Sequence, residues 1–284
     1  MALRYYRRET HILISRHRSN PLHLIQGLWS HRQLIVQMTR REVIGRYRGS
    51  VMGLAWSFFN PVLMLVVYTF VFSEVFQSRW AGQEGKGDFA ILLFVGMIVH
   101  GLFAECANRA PSLILNNANY VKKVIFPLEI LPIVSLGAAL FHSCISVIVL
   151  LAAQQMLSGN TPLTALYFPL ILIPLCLGTL GLGWLLAALG VFIRDVGQII
   201  SVLTTVLLFL SPVLYPVSAL PEAYRPWLQL NPLTYVIEDS RNVLIFGHSP
   251  EWQGFMLSLA GSVVIALVGF WLFQKTRAGF ADVL

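Results

Sequence analysis

Charged side chains are scarce in this sequence. Asp, Glu, Lys and Arg make up 12% of its 284 residues, apolar residues make up 56%, and the mean hydropathy is +0.70. Soluble domains usually contain about 25% charged residues, so this chain lacks the polar surface that a water-facing globule needs. The composition excludes a disordered chain, a collagen-like repeat and a disulfide-stapled secreted module, and it predicts a membrane protein.

Cysteine and catalytic motifs are scarce as well. The three cysteines, Cys106, Cys144 and Cys176, lie in apolar stretches at a spacing that matches no metal-binding pattern, and we expect them to be small buried hydrophobic residues. The sequence contains no phosphate-binding loop, no H-E-x-x-H and no G-x-S-x-G. It therefore predicts no catalytic residue, no metal site and no cofactor in this chain. Energy for any driven transport must come from a partner or from an ion gradient.

Positive charge is concentrated at the start of the chain. Ten of the 20 Lys and Arg residues lie within the first fifty residues, and the net charge is +7. Long apolar segments follow directly, so this distribution indicates a cytoplasmic arm at the membrane surface, over residues 1–50, rather than a nucleic-acid site.

Six segments are long and apolar enough to cross a membrane, which needs about 20 residues. They are 51–76, 89–107, 129–156, 165–191, 198–217 and 253–274. Six crossings place both termini on one side, and that side then carries sixteen Lys and Arg residues against four on the other. The positive-inside rule predicts that both termini are cytoplasmic. The predicted fold is an all-α membrane protein with a six-helix transmembrane domain over residues 51–284.

Two segments outside the spans have helical character. Residues 28–48 form an amphipathic pattern that predicts a helix at the membrane interface, and Ser30 with Gln33 has the spacing of a capping box. An ordinary helix docked on a partner is the alternative. The proline- and tryptophan-containing stretch 218–252 is too polar to span and too apolar for a free loop, which predicts short re-entrant helices before the last span.

A few polar and small residues inside the spans also carry information. Glu105 and Arg109 are one helical turn apart and are expected to pair. His100 and His142 are either neutral, hydrogen-bonded structural residues or members of a proton relay. A stripe of small residues at four-residue spacing predicts a helix-packing face. Its members are Thr179, Gly183 and Ala187.

An ordered set of motifs gives the chain a family resemblance. The matching strings are RYRGSVMGLAW at 46–56, NP at 60–61, YVKKVIFP at 120–127, FIRDV at 192–196, LSPVLY at 210–215 and LNPL at 230–233. Together with the six spans, the preceding amphipathic helix and the re-entrant stretch, they resemble the permease subunit of ABC-2-type exporters. The chain is most similar to the polysaccharide export branch, whose members move O-antigen, capsule or teichoic acid chains.

The resemblance implies a function and a set of partners. It implies a transport subunit rather than an enzyme, working in the bacterial inner membrane as a homodimer with two copies of a separate ATPase that binds ATP and Mg. The implied cargo is a polysaccharide linked to a polyprenyl diphosphate lipid, with O-antigen of lipopolysaccharide as the expected glycan. An exporter of capsule, teichoic acid or a drug is one alternative, and an ion-coupled transporter or channel that uses His100 and His142 is another.

The resemblance also implies roles for particular residues. Aromatic residues of the first span are candidates for the glycan path, because ring faces pack on sugar C–H surfaces. They are Trp56, Phe58, Phe59, Tyr68 and Phe72. Four arginines, Arg40, Arg41, Arg46 and Arg48, are candidates for contact with the lipid head group, with general attraction to anionic lipid as the alternative. The loop 116–126 is implied to be a coupling helix seated on the ATPase. The coupling candidates are Asn119, Tyr120, Lys122, Lys123, Arg194 and Asp195.

Overall fold

The computed structural model describes residues 21–75, 88–122, 126–159 and 161–284. Within these ranges the chain is helical, with turns and no β-strand, so the predicted all-α fold is confirmed. The helices in chain order are α1 Pro21–Ser30, α2 Arg32–Arg46, α3 Trp56–Tyr68, α4 Asp88–Arg109, α5 Ala118–Lys122, α6 Ile130–Ser158, α7 Phe168–Phe192, α8 Val196–Leu210, α9 Arg225–Gln229, α10 Pro232–Arg241, α11 Trp252–Thr276 and α12 Phe280–Val283.

Five helical stretches in the described part of the chain are long and apolar enough to cross a membrane. They are Gly53–Val75, Phe89–Ser112, Ile130–Leu157, Leu163–Phe192 and Trp252–Val283. The first contains α3 with a 3₁₀ turn before it and a π-helical stretch, Thr69–Val75, after it. These stretches overlap five of the six predicted spans. The predicted span 198–217 corresponds to the shorter apolar helix α8.

Helix α8 ends at Leu210 rather than at residue 217, because Ser211 precedes Pro212 and adopts an extended backbone, with φ −106° and ψ 154°. The side chain of Asn231, the residue before α10, holds the turn that follows. Asn231 Nδ2 donates to the Ser211 hydroxyl at 2.8 Å and to the Leu210 carbonyl at 3.3 Å. Its Oδ1 accepts from the Leu233 amide at 3.0 Å, which caps the N-terminus of α10. One asparagine therefore joins the end of α8 to the start of α10.

Helix α4 lies at the centre of the bundle. In its apolar stretch 67% of the residues are buried, against 17% in the stretch that contains α3. Its side chains, Val99 among them, pack in one core with Leu150 of α6, Ile171 of α7 and Ile237 of α10. Because α3 is packed on one side only, most of its apolar surface faces outward from the subunit.

Small residues set the packing of α7. A Cβ at Gly269 of α11 would lie 2.0 Å from the Gly181 carbonyl oxygen, so the two backbones are in direct contact. The predicted stripe packs on α6 instead, where a Cβ at Gly183 would lie 3.3 Å from Pro132. Thr179 and Ala187 are buried, which confirms the stripe as a packing face.

The amphipathic segment is divided into α1 and α2. Met38 and Val43 are buried, and Thr39 lies against Gly137 of α6, so α2 is docked on the bundle. Trp29 and Val36, which the sequence pattern places on the apolar face of this segment, are 72% and 67% exposed in the subunit. Exposure of this kind is what contact with lipid at a membrane interface requires, so the interfacial position of the segment stays a prediction.

Two local expectations are wrong. The Ser30 hydroxyl donates back to the Gly27 carbonyl at 2.8 Å and caps no helix, because the chain stays nearly helical through His31. Cys144 lies on the exposed surface of α6, whereas Cys106 is buried as predicted and Cys176 is partly buried. An exposed small apolar residue on a membrane helix faces lipid or another subunit without cost, so apolar surroundings in the sequence do not imply burial.

Candidate functional site

A cleft of about 530 Å³ lies between α3, α4 and α6. Its walls combine rings and thioethers with hydroxyl and amide groups. From α3 it takes Trp56, Ser57, Asn60, Pro61, Met64 and Tyr68; from α4 Phe94, Met97, Ile98, Gly101, Leu102 and Glu105; from α6 His142, Ser143 and Ser146. Arg46 and Tyr47, which join α2 to the first span, complete the lining. A concave site of this volume with a few polar groups is the usual form of a ligand site.

One end of the cleft carries a cluster of ionisable side chains. Arg46 Nη1 donates to Glu105 Oε1 at 2.6 Å, and Arg109 Nη1 lies 3.6 Å from the same oxygen. The predicted Glu105–Arg109 pair is therefore confirmed. Arg109 also pairs with Glu42 of α2. Two guanidinium groups and two carboxylates balance in charge and join α2 to α4.

His142 of α6 belongs to the same cluster. Its Nδ1 lies 3.0 Å from Arg46 Nη1 and its Nε2 lies 3.2 Å from the Tyr47 hydroxyl. A guanidinium group can only donate, so Nδ1 is the acceptor in the contact with Arg46. Burial raises the pKa of the Tyr47 phenol, with Arg46 opposing and Glu105 reinforcing the rise, so the hydroxyl keeps its proton.

His100 lies elsewhere. Its Nε2 donates to the Thr204 carbonyl at 3.0 Å, and the Thr204 hydroxyl donates to Asn108 Oδ1 at 3.1 Å, which joins α4 to α8. No hydrogen bond among the described residues connects the rings of His100 and His142. The two histidines therefore serve two separate helix contacts in this structure.

The five aromatic path candidates lie in three environments. Trp56 and Tyr68 line the cleft. Phe58 and Phe59 are 51% and 47% exposed on the outer surface of α3, where their rings contact each other edge to face. Phe72 stacks on Phe89 of α4 with ring centroids 5.3 Å apart. The structure thus brings two of the five to the cleft.

The four arginine candidates are similarly divided. Arg46 is held in the ionic cluster, and Arg41 donates to the Tyr120 hydroxyl at 3.1 Å. Arg40 and Arg48 are exposed. Only Arg46 reaches the cleft.

The coupling candidates with described side chains lie on the short helix α5 and in the turn between α7 and α8. Asn119 is exposed, but Tyr120, expected to be exposed, is only partly so, because its ring stacks on Phe126 with centroids 4.3 Å apart. The side chain of Lys122 and all of Lys123 lie outside the described residues. Arg194 and Asp195 are exposed in the turn between α7 and α8.

Sequence reasoning missed the most heavily bonded side chain outside the cleft. Arg241 is one of the four Lys and Arg residues that the charge count places on the side opposite the termini, but it is only 1% exposed, at the end of α10. It donates to the carbonyls of Leu92 at 3.0 Å, Pro212 at 2.6 Å and Val213 at 2.9 Å, and to Glu238 Oε1 at 2.7 Å. The available signal was the Glu238–Arg241 spacing of one helical turn within an apolar segment.

The family of the chain follows from comparison with known proteins. A family model described as ABC-2 type transporter matches residues 33–245, which include all of α2 except its first residue, the cleft and α10. Because this match covers more than half of the sequence, the chain belongs to the ABC-2 type transporter family. The resemblance drawn from the motifs is confirmed.

Individual relatives extend the similarity over nearly the whole chain. The chain is 29% identical over 264 residues to the O-antigen export system permease protein RfbA of Myxococcus xanthus, covering 92% of this chain and 99% of that protein. It is 26% identical to the protein of the same name from Klebsiella pneumoniae, covering 88% and 95%. It is 21% identical to the polysialic acid transport protein KpsM of Escherichia coli, covering 82% and 90%.

Proposed function

We propose that this chain is the permease subunit of an ATP-driven exporter that moves a lipid-linked polysaccharide, of the O-antigen class, across the bacterial inner membrane. The observation that carries the proposal is the family match over residues 33–245 together with O-antigen permease relatives aligned over almost their full length. Capsule or teichoic acid export is the neighbouring alternative, supported by the weaker similarity to the polysialic acid protein.

The cleft between α3, α4 and α6 suits a passage for sugars. Trp56 and Tyr68 offer ring faces to sugar C–H groups, while Asn60, Ser143 and Ser146 offer hydrogen bonds. This mixture tolerates different sugars, because ring packing does not require one particular arrangement of hydroxyl groups. We include Phe58, Phe59 and Phe72 in the wider path only where a second subunit covers α3.

The exporter needs partners that this chain does not supply. The sequence contains no phosphate-binding loop, so we assign ATP and Mg to a separate ATPase, present in two copies beside a homodimer of this chain. The exposed apolar face of α3, including Leu63, Val66 and Phe70, suits lipid or a second copy. Helix α5, with Asn119 and Tyr120, and the turn at Arg194–Asp195 are the proposed ATPase contacts.

We count six crossings in the proposed topology, with α8 as the short fifth one. Its 15 residues span roughly 22 Å, less than the ~30 Å hydrocarbon core, and the turns after Leu210 complete the passage. Helices α9 and α10 then form the re-entrant segment at the outer side, where surrounding protein satisfies the irregular backbone. Both termini are cytoplasmic in this arrangement, in agreement with the charge bias.

Deletion of the gene tests the function. We expect the deletion strain to lose long polysaccharide from its surface, measured on gels of extracted glycolipid, and to accumulate the lipid-linked chain inside. The wild-type gene on a plasmid should restore the surface glycan. Unchanged surface polysaccharide in the deletion strain would contradict the proposal.

Cysteine labelling tests the topology. In a chain whose three native cysteines are replaced, Ser249→Cys should react with a membrane-impermeant maleimide in intact spheroplasts, and Asn119→Cys should react only after lysis. Both positions are exposed in the subunit, so burial within the protein does not distinguish them. A difference in labelling therefore reports the side of the membrane on which each position lies. The opposite labelling pattern would invert the assignment of the termini.

A further inference from the structure

A single arginine joins the segment after α11 to the chain just before α6. This segment, residues 277–284, consists of a 3₁₀ turn, Arg277–Gly279, and helix α12, and we call it the α12 segment. Arg277 Nη1 donates to Glu129 Oε2 at 2.7 Å, and Arg277 Nη2 donates to the Phe126 carbonyl at 2.9 Å. The two acceptors flank Pro127, so one planar guanidinium group holds both sides of this turn.

The α12 segment also packs beside helix α5, the first of the two proposed ATPase contacts. Helix α12 contacts α5, and Leu284 packs on the same apolar cluster as Tyr120 of α5. The Tyr120 ring in turn stacks on Phe126, whose carbonyl accepts from Arg277. The α12 segment therefore holds α5 by packing and holds the end of its loop by hydrogen bonds.

The same segment reaches the second proposed ATPase contact, the turn at Arg194–Asp195. Phe280 is fully buried, and its ring centroid lies 6.0 Å from that of Phe192 in α7 and 5.5 Å from that of Phe273 in α11. Phe192 is the last residue of α7, directly before this turn. Both cytoplasmic contact regions thus meet two membrane helices at the α12 segment.

We propose that the α12 segment transmits the motion of the ATPase from α5 to α7 and α11, and that Arg277 is the positioning residue that keeps α5 in step with these helices. The inference rests on the proposed function, which supplies an ATPase that drives export. It goes further by naming the part of this chain that joins the ATPase contacts to the membrane helices.

Burial and charge favour Arg277 over the other polar connection of the loop. The side chains of Arg277 and Glu129 are 18% and 23% exposed, so water competes little with this charged pair. The bond from Arg41 to the Tyr120 hydroxyl is exposed, has a neutral acceptor and leads to α2, which is not one of the five long membrane stretches. Arg277 therefore provides the stronger polar connection from this loop to a membrane helix.

The test compares ATP hydrolysis with export. Hydrolysis is measured on the purified complex of this chain with its cognate ATPase in proteoliposomes. Export is measured as surface polysaccharide in the deletion strain that carries the same variant at equal membrane abundance. Arg277→Gln removes the charge and the two-donor fork. We expect the complex to assemble and to hydrolyse ATP within about twofold of the unchanged rate, while export relative to hydrolysis falls at least about fivefold.

Lys275→Gln is the matched control, because it removes one positive charge from the same end of α11 and so alters the charge bias equally. Lys275 is exposed, and its ammonium group lies 4.9 Å from the ring centroid of Trp271 on its own helix. Export relative to hydrolysis should stay unchanged in this variant. Arg277→Lys keeps the charge but cannot present two donors in a fixed fork, so it should recover only part of the loss.

Three results would overturn the inference. An unchanged ratio of export to hydrolysis in Arg277→Gln would show that α5 needs no connection through Arg277. A parallel fall of hydrolysis and export would make Arg277 a residue of stability or assembly alone. An equal loss in Lys275→Gln would assign the effect to charge at the membrane surface. If Arg277→Gln does not assemble, Arg277→Lys decides the matter, because a lowered ratio supports the inference and a normal ratio overturns it.

This experiment and the deletion strain fail independently. Unchanged surface polysaccharide in the deletion strain overturns the proposed function. A wild-type chain that restores export, beside an Arg277→Gln chain with the same ratio of export to hydrolysis, overturns this inference alone.

Discussion

Replacing Arg241 by alanine is expected to lower the free energy of unfolding by about 3–5 kcal/mol, the largest effect of any single substitution that we predict outside the cleft. Arg241 is buried, and its guanidinium group binds one carboxylate and three backbone carbonyls. Its removal leaves the carbonyls of Pro212 and Val213, where the chain turns after α8, without these donors. Unfolding of the detergent-solubilised protein by dodecyl sulfate measures the loss.

Two variants make this prediction specific. Arg241→Lys keeps a point charge near Glu238 but loses the planar fork, so it should recover only part of the stability. Arg225→Ala is the control on the same segment. Arg225 also donates to two carbonyls, those of Leu220 and Ser218, but its side chain is 38% exposed, so water can replace these donors and the loss should be less than about 1 kcal/mol. Wild-type stability in Arg241→Ala would mean that water satisfies these carbonyls equally well.

Tyr120→Ala is expected to abolish polysaccharide export or to separate export from ATP hydrolysis, while the protein still inserts and dimerises. An aromatic ring in a desolvated partner pocket contributes about 2 kcal/mol or more, and rim lysines contribute much less. The stack of Tyr120 on Phe126 adds a second reason, because the ring also holds the loop in shape. Surface glycan and ATPase activity of the complex with its cognate ATPase are the two measurements.

Three control variants distinguish the effect of the Tyr120 ring from the effects of its hydroxyl group and of the neighbouring lysines. Tyr120→Phe keeps the stack and loses only the hydrogen bond from Arg41, so it should export nearly normally. Lys122→Ala and Lys123→Ala should have mild effects. Normal export by Tyr120→Ala at normal expression would leave this loop as a topological anchor, and the ATPase contact would then be sought at Arg194 and Asp195.

Local patterns predicted local features of this fold. The length of the apolar segments predicted the long spans. The four-residue spacing of small residues predicted the packing stripe on α7, and the one-turn spacing of opposite charges predicted the Glu105–Arg109 pair. Each of these features depends on residues that are close in the chain, and the regular geometry of a helix fixes the relative positions of such residues.

Features that depend on distant residues were not predictable in this way. Arg241 is 149 positions from Leu92, and Arg46 is 96 positions from His142, so no periodic pattern places either pair together. The hydrogen bond from Asn231 to the Leu210 carbonyl likewise joins residues twenty-one positions apart. Which of the aromatic residues of α3 face the cleft depends on the rotation of α3 about its own axis. Contacts with α4 and α6 set that rotation.

The contact between Gly181 and Gly269 has a mechanical consequence. The backbones of α7 and α11 touch at this point, so no layer of side chains lies between them that could re-pack. A sliding motion of one helix along the other would push the Gly181 carbonyl into the backbone of α11. We therefore expect α7 and α11 to move together as one rigid body. Helix α3, attached to α4 and α6 on one side only, is the element with freedom to tilt, and a tilt of α3 changes the width of the cleft directly.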